Sequence, residues 1–583
     1  MMPALRSNPV RLLLVLGILA GIGWWWWGRT HVEVWALNPF DEALDVTVTG
    51  QTLHLAPHAR VAVRLAAGPA TLEAKLGNRL VESQRVDVPA GVDAAIYNPL
   101  GAGPLFRVDV RYSSTASTGR SAAPAVFISG TSWTVINSAD YVFVKPPSSI
   151  SVSSGSGDQH RVLITDGGGK SWRSTLGYLI EHDGAEKARA LATAIAPFAP
   201  EAVSWGIEAA RRTGGLDAAI AFERQQLQDR DDYVLHRTYQ HDRRARDGIM
   251  SVREEYRAKA AQSPSPFARL LLARVDDRAS AEQALRELMR DKELGSTARR
   301  VLAWKLTREE RWPEVESLLA SDSDGVYLDL RLQALVAQGK KQQALELARG
   351  AVGDSEVSPS VLVRAARQVS TQAAEDLLTQ LVRARRDAFD EPGEAVVVRV
   401  LAGLIEPAAL PKSDSPGMVA AQMIGLAAKD PAAAWKKVAH ASKKEVDGID
   451  PHVAFLLGTE YHRVGDDQTA TALLLHAQKV VPIPIQAAWR FVETGTETED
   501  VRAIDNESRA ALLVVRARQV EAAGGHATSL RDLAIRLTPL GGPISQSALS
   551  WPRGQPEAPD AALDAPVVFV RTPAVSRVVA AQR

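Results

Sequence analysis

From about residue 176 to 540 the chain reads as helix throughout. Ala, Leu, Arg and Glu dominate, and breaks recur at Gly214-Gly215, Ser263-Pro264, Gly295, Gly325, Gly339, Gly353, Gly465 and Gly524-Gly525. Gly and Pro at such intervals mark tight turns between short helices. Helices joined this way fold back as antiparallel pairs, and a long run of pairs buries its apolar faces by stacking. The stretch predicts a long array of stacked helical hairpins.

The clearest hairpin is residues 450–482, DPHVAFLLGTEYHRVGDDQTATALLLHAQKVVP. Asp450 is placed to accept from the free N–H groups of the first turn. Pro451 follows at the first helical position, where a missing N–H costs nothing. Gly465 suits the left-handed turn that closes a helix. Asp466 or Asp467 caps the second helix, and Pro482 ends it. An ordinary helical hairpin is the simpler reading of these residues. Leu457, Gly458, Tyr461, Ala470, Leu474, Ala477 and Pro482, however, stand in register with the tetratricopeptide repeat, which the stretch resembles. Ala454 replaces that family's first Trp, and Leu474 its usual Phe. Trp205-Gly206 with Ala218 and Phe222 keeps the same offsets. Around Ala344 a second-helix half recurs, but its partner carries Leu332 where Gly belongs.

The resemblance implies a groove, lined by the first helix of each repeat, that takes an extended or helical peptide. Carried onto this chain, the groove residues are His452, Phe455, Thr459, His462 and Arg463. Capture of a terminal carboxylate needs Lys and Asn at two of these places. Phe455 and Thr459 stand there instead, so that version is not implied.

Residues 12–28, LLLVLGILAGIGWWWWG, are uncharged and mostly apolar. With a neighbour they approach the roughly 20 residues of a membrane span, and Trp24 to Trp27 suit the headgroup level. A cleaved signal peptide is the rival, but GRTHVEVWAL offers no good cleavage site. Arg6 and Arg11 precede the run and only Arg29 follows closely. The expectation is a single-pass anchor in the inner (plasma) membrane of a bacterial cell. Its N-terminus is cytoplasmic, and the bulk of the chain is extracytoplasmic (periplasmic).

Between 30 and 112 the period changes to two. VEVWAL, LDVTVTG, LHLAP, RVAVRLAAG, TLEAKLG, RVDVP, AAIYNP and FRVDVRY are short runs parted by turn residues. They predict a small antiparallel β-sandwich, similar in pattern to immunoglobulin-like or PEGA-type modules. Residues 113–175 are Ser-, Gly- and Pro-rich, with VFISG, YVFV and RVLIT as extra strands. The expected fold class is therefore α+β multidomain. It comprises an anchor (1–29), a sandwich (30–112), an extension (113–175), an all-α tetratricopeptide-like solenoid (176–540) and an extended tail (541–583).

RVLITDGGGKSW places Lys170 and Ser171 after a glycine-rich turn, but a phosphate-binding loop requires Gly where Ile164 stands. The simpler reading makes Ser171 a helix cap. The chain has no cysteine, which excludes disulfides, thiolate metal sites and a thiol nucleophile. Its 68 basic and 68 acidic residues balance, which argues against a nucleic-acid partner. The 12 histidines are scattered. No HExxH or GxSxG occurs. Trp205, Trp304, Trp312 and Trp489 read as core. These observations point to a scaffold for proteins or peptides, with no cofactor, metal or chemistry of its own. The alternatives are an envelope enzyme using Lys170 and Ser171, or a wall-binding protein acting through the β-module.

Overall fold

The computed structural model describes residues 30–112, 125–148, 150, 159–167, 171–182, 184–227, 231–320, 327–389, 394–405, 451–542 and 544. Among them are 20 α-helices and three four-stranded sheets. The chain divides into two compact units, Met1–Gln228 and Asp229–Arg583.

In the first unit every alternating run of 30–112 is a strand. These are β1 (His31–Leu37), β2 (Leu44–Val48), β3 (Gln51–Leu55), β4 (Arg60–Ala66), β5 (Gly68–Leu76), β6 (Arg79–Val88), β7 (Ala94–Tyr97) and β8 (Phe106–Tyr112). Alternation sets the faces: Leu44, Val46 and Val48 of β2 are buried, while Asp45 and Thr47 are not. Four short strands follow: β9 (Val126–Phe127), β10 (Trp133–Ile136), β11 (Tyr141–Val142) and β12 (Gln159–Thr165).

The antiparallel sandwich is corrected. The sheets run β10-β7-β1-β4, β11-β12-β8-β9 and β3-β2-β5-β6, and β1 pairs with β7, and β11 with β12, in parallel. Parallel neighbours need a long crossover, which β2 through β6 supply between β1 and β7.

Helices α1 (Trp172–Glu181), α2 (Ala185–Ile195) and α3 (Ala202–Gln226) belong to this unit. Trp172, Leu176 and Ala188 share one apolar cluster with Val34, Leu44, Leu72 and Tyr97. Trp172 N donates to Pro39 O (3.1 Å), and Thr175 Oγ1 to Ala102 O (2.6 Å). The division therefore falls after Gln228 and not at 175. Helix α3 bends at Gly214-Gly215, where Gly215 takes φ +66°. Its two halves then pack so closely that a Cβ on Gly206 would overlap the Phe222 ring.

The second unit is helical. In order come α4 (Tyr233–Asp247), α5 (Ile249–Gln262), α6 (Pro266–Val275), α7 (Ala279–Leu288), α8 (Gly295–Arg308), α9 (Trp312–Leu319), α10 (Leu328–Ala337), α11 (Lys341–Gly350), α12 (Pro359–Arg367), α13 (Thr371–Ala384) and α14 (Glu394–Leu401). After residues 406–450, which lie outside the described set, come α15 (Pro451–Val464), α16 (Asp467–Ala477), α17 (Ile485–Thr494), α18 (Glu499–Ala503), α19 (Asn506–Ala522) and α20 (Thr528–Leu537). From α4 to α13 each helix packs on the next. The first helices of pairs also touch one another, α8 on α10, α10 on α12 and α12 on α14.

Helices α15 and α16 form the hairpin expected at 450–482. Asp466 Oδ1 accepts from Thr469 N (3.1 Å) as its second cap, and Gly465 takes φ +91°. Asp450 lies outside the described residues. A Cβ on Gly458 would stand 2.8 Å from Leu474 Cγ and 3.2 Å from Ala470 O. Gly458→Val should therefore destabilise the unit by about 1–3 kcal/mol through overpacking, read as a lowered urea midpoint.

The membrane expectation is corrected as well. The segment 12–28 lies outside the described residues, and among those described no helix is long and apolar enough to cross a membrane. The longest, α3 at 25 residues, carries Glu208, Arg211, Arg212, Asp217, Glu223 and Arg224. The single-pass fold class and the inner-membrane location find no support among these helices.

Candidate functional site

The five groove residues do not gather on an open face. Phe455, Thr459 and His462 are buried, and His452 and Arg463 are half-buried. Thr459 Oγ1 donates to Phe455 O (2.9 Å). The His462 ring stacks on Trp489 at 4.4 Å, with Nδ1 2.8 Å from Asp467 and Nε2 3.0 Å from Glu493. His452 lies 3.6 Å from Asp505, and Arg463 donates to Glu460 (2.7 Å). Helices α16, α17 and α19 surround α15, and every residue from Val453 through His462 is buried. The reason is in the sequence. VAFLLGT is apolar or small on all sides, and such a helix is enclosed.

Charge in the second unit is used at helix ends. The last carbonyls of a helix lack partners and carry partial negative charge, so a buried guanidinium or ammonium satisfies them. Arg385 donates to Ala351 O (2.9 Å), Val352 O (2.7 Å) and Val357 O (2.6 Å) beyond α11. Arg516 donates to Val492 O (3.1 Å) and Glu493 O (2.7 Å) in α17. Arg253 donates to Val275 O (3.1 Å) and Lys305 to Asp276 O (2.5 Å) at the end of α6.

The same chemistry brings the late helices back to the early ones. Arg244 and Arg308 both donate to Ala503 O, at 2.8 and 2.9 Å. Asn506 donates to Thr307 O (2.9 Å) at the end of α8. Asp500 accepts from Ile249 N (2.6 Å) at the start of α5. Arg253 pairs with Glu499 (2.6 Å). The array is therefore not open-ended: α18 and α19 close on α4, α5 and α8. Burial, with Arg274 and Arg308 nearby, lowers Arg244 to about 9.

Two of the scattered histidines sit in this packing. His236 meets Tyr256 Oη at 2.8 Å, and His241 Nε2 donates to Gln478 O (2.7 Å). Burial lowers each to about 4, helped at His236 by Lys259 and opposed at His241 by the bond to Gln478. Between pH 6.5 and 4 the unfolded chain then binds more protons than the folded one, so stability falls as pH drops through that window. The loss through His241 approaches about 3 kcal/mol at 1.4 kcal/mol per pKa unit. Urea midpoints at pH 4.5 and 7 should differ accordingly, and His241→Gln should narrow the gap.

One surface stripe in the array stands out. Ser296, Arg300, Trp304 and Arg308 recur every four residues along α8, so they share a face. Trp304 is 41% exposed, against its expected place in the core, whereas Trp312 is buried. The Arg300 guanidinium lies 5.3 Å over the Tyr327 ring. The stripe ends at Arg308, beside α18.

Lys170 lies outside the described residues, and Ser171 precedes α1 without a side-chain capping bond. Among the described residues no group of three or more His, Asp or Glu is arranged to hold a metal ion. No family model, curated protein or solved structure matches the chain.

Proposed function

We propose that the second unit is a binding scaffold of tetratricopeptide-like helical pairs, and that its work is to hold a protein partner against the first-helix layer. The observation that carries this is the stripe on α8. Trp and Arg dominate the energetics of protein interfaces, and an exposed Trp304 one turn from Arg300 offers an apolar anchor beside a cation. Two further features support a repeat architecture. Helices pack on their sequence neighbours from α4 to α13. Gly458 meets Leu474 across the α15–α16 hairpin, the close approach that a stacked helix pair requires. The partner this stripe fits is a peptide or protein surface with a large apolar residue beside acidic ones.

A photo-crosslinking residue at position 304, introduced into the full chain in its native cell, tests the reading. A discrete protein adduct is expected there and not at a control site on α13. Trp304→Ala should weaken binding of that partner at least tenfold, about 1.4 kcal/mol or more. No adduct at 304 above the control would overturn the proposal.

A further inference from the structure

Most sheet edges of the first unit are short or covered. β9 and β11 have two residues each, β10 has four and β3 five. β6 is longer, but a register shift interrupts its pairing with β5, and its Glu82 accepts from Leu100 N and Ser132 Oγ. Short edges, bulges and covers keep a sheet from joining other strands. β4 has none of these. It ends the sheet β10-β7-β1-β4, pairs with β1 without a break from Arg60 to Ala66, and contains no proline.

The groups that β4 offers follow from its pairing with β1. Ala59 O accepts from Asn38 N (2.9 Å), and Ala67 N donates to Thr30 O (2.8 Å). Alternate residues of an antiparallel strand turn their backbone groups to opposite sides, so Val61, Val63 and Leu65 also face β1. Arg60, Ala62, Arg64 and Ala66 turn theirs to the open side. Among the described residues none of those outward groups has a partner. The side chains of Ala62, Arg64 and Ala66 are exposed. Val61, Val63 and Leu65 are half-buried against the apolar cluster of the unit. Arg60 is held by Asp166 and lies 5.0 Å over the Phe143 ring.

We infer that β4 pairs antiparallel with β4 of a second copy of this chain, about a twofold axis at Val63. An axis between two residues would set outward-facing residues against inward-facing ones, so the axis passes through a residue. At Val63 all seven residues of the strand overlap. Arg60 then faces Ala66, Val61 faces Leu65, Ala62 faces Arg64, and every outward backbone group gains a partner. Moving the axis to Ala62 sets Arg60 against Arg64, and moving it to Arg64 sets that residue against itself. Like charges directly opposite one another are destabilising. The strand is thus complementary to its own reversal in one register, which is why a second copy fits it. In that register Val61, Val63 and Leu65 of both copies meet and extend the core face across the axis. One strand makes a small interface, so the pair should form and dissociate with concentration. The pairing is independent of the scaffold reading, which concerns the second unit.

The chain has no cysteine, so a single introduced thiol reports the register. Residues opposite each other without hydrogen bonds between them hold their Cβ atoms about 4.5–5.5 Å apart, near the reach of a disulfide. Val63→Cys in the full chain should therefore give a disulfide-linked dimer under mild oxidation. Val61→Cys, four residues out of line with its copy, should not, and neither should Ser83→Cys on the covered β6 edge. Ala62→Pro removes an outward N–H, which an edge strand tolerates, and should leave the chain monomeric in sedimentation equilibrium. Ala62→Glu, facing Arg64, should tighten the dimer about threefold or more, and Ala62→Arg should loosen it as much. A wild type that stays monomeric, or a Val63→Cys link that forms no faster than the Val61→Cys one, would overturn the pairing. So would a folded Ala62→Pro chain, judged by circular dichroism, that still dimerises. If the proline variant does not fold, equal dimer constants for the Glu and Arg variants overturn it, and a difference in the stated order supports it.

Discussion

Arg518→Leu should cost the second unit about 3–5 kcal/mol, the largest loss expected from any single exchange described above. Arg518 of α19 donates to Glu460 of α15 at 2.5 Å, and the two side chains are 2% and 5% exposed. Glu460 also accepts from Arg463 (2.7 Å), but at Oε2, whereas Arg518 holds Oε1. Taking two ions out of water is expensive, and their mutual contact offsets much of it. Removing one therefore strands the other. Replacing both with Met should recover most of the loss, because a well-packed apolar pair carries no desolvation penalty. Urea unfolding of the wild type, both single variants and the double variant checks this. A double variant as unstable as the singles would show that packing, and not charge, sets the effect.

Arg385→Ala should lower stability by about 3–5 kcal/mol as well, by a different route. Arg385 donates to the carbonyls of Ala351, Val352 and Val357, of which Ala351 O also accepts from Asp354 N (3.0 Å). Each buried carbonyl left unpaired costs about 1–3 kcal/mol, and some of the three would reach water. Arg385→Lys should recover only part, since one ammonium cannot match a planar fork spread over three acceptors. Hydrogen exchange should show the loss first in α11 and α13, which the guanidinium ties together. A Lys variant as stable as wild type would show that charge at the helix end suffices.

Local structure was legible in the sequence wherever one residue's neighbours decide its state. The period of two between 30 and 112 corresponds to β1 through β8, and Gly465, Asp466 and Gly458 act at the turn, the cap and the close contact. What escaped was set by residues far apart in the chain. The parallel pairing of β1 with β7 depends on a crossover that no local pattern records. Arg244, Arg253, Arg385, Arg516 and Arg518 carry no local mark of burial, because a charge looks the same in sequence whether it faces water or a helix end. The burial of His241 is hidden for the same reason. The groove residues of α15 were assigned by a repeat register that presumes an open face, whereas α17 and α19 cover it. Trp304 went the other way: its apolar neighbours pointed to the core, yet it is 41% exposed.

The closing contacts also impose a timetable. Arg244 and the Ala503 carbonyl it requires are 259 residues apart, so at about 5–20 residues per second a ribosome takes roughly 13–50 s to travel between them. Over that interval α4, α5 and α8 have left the exit tunnel without the late helices that cover their flanks. This protein should therefore depend on chaperones during its birth far more than when mature, and nascent chains stalled before residue 500 should be the species those chaperones retain.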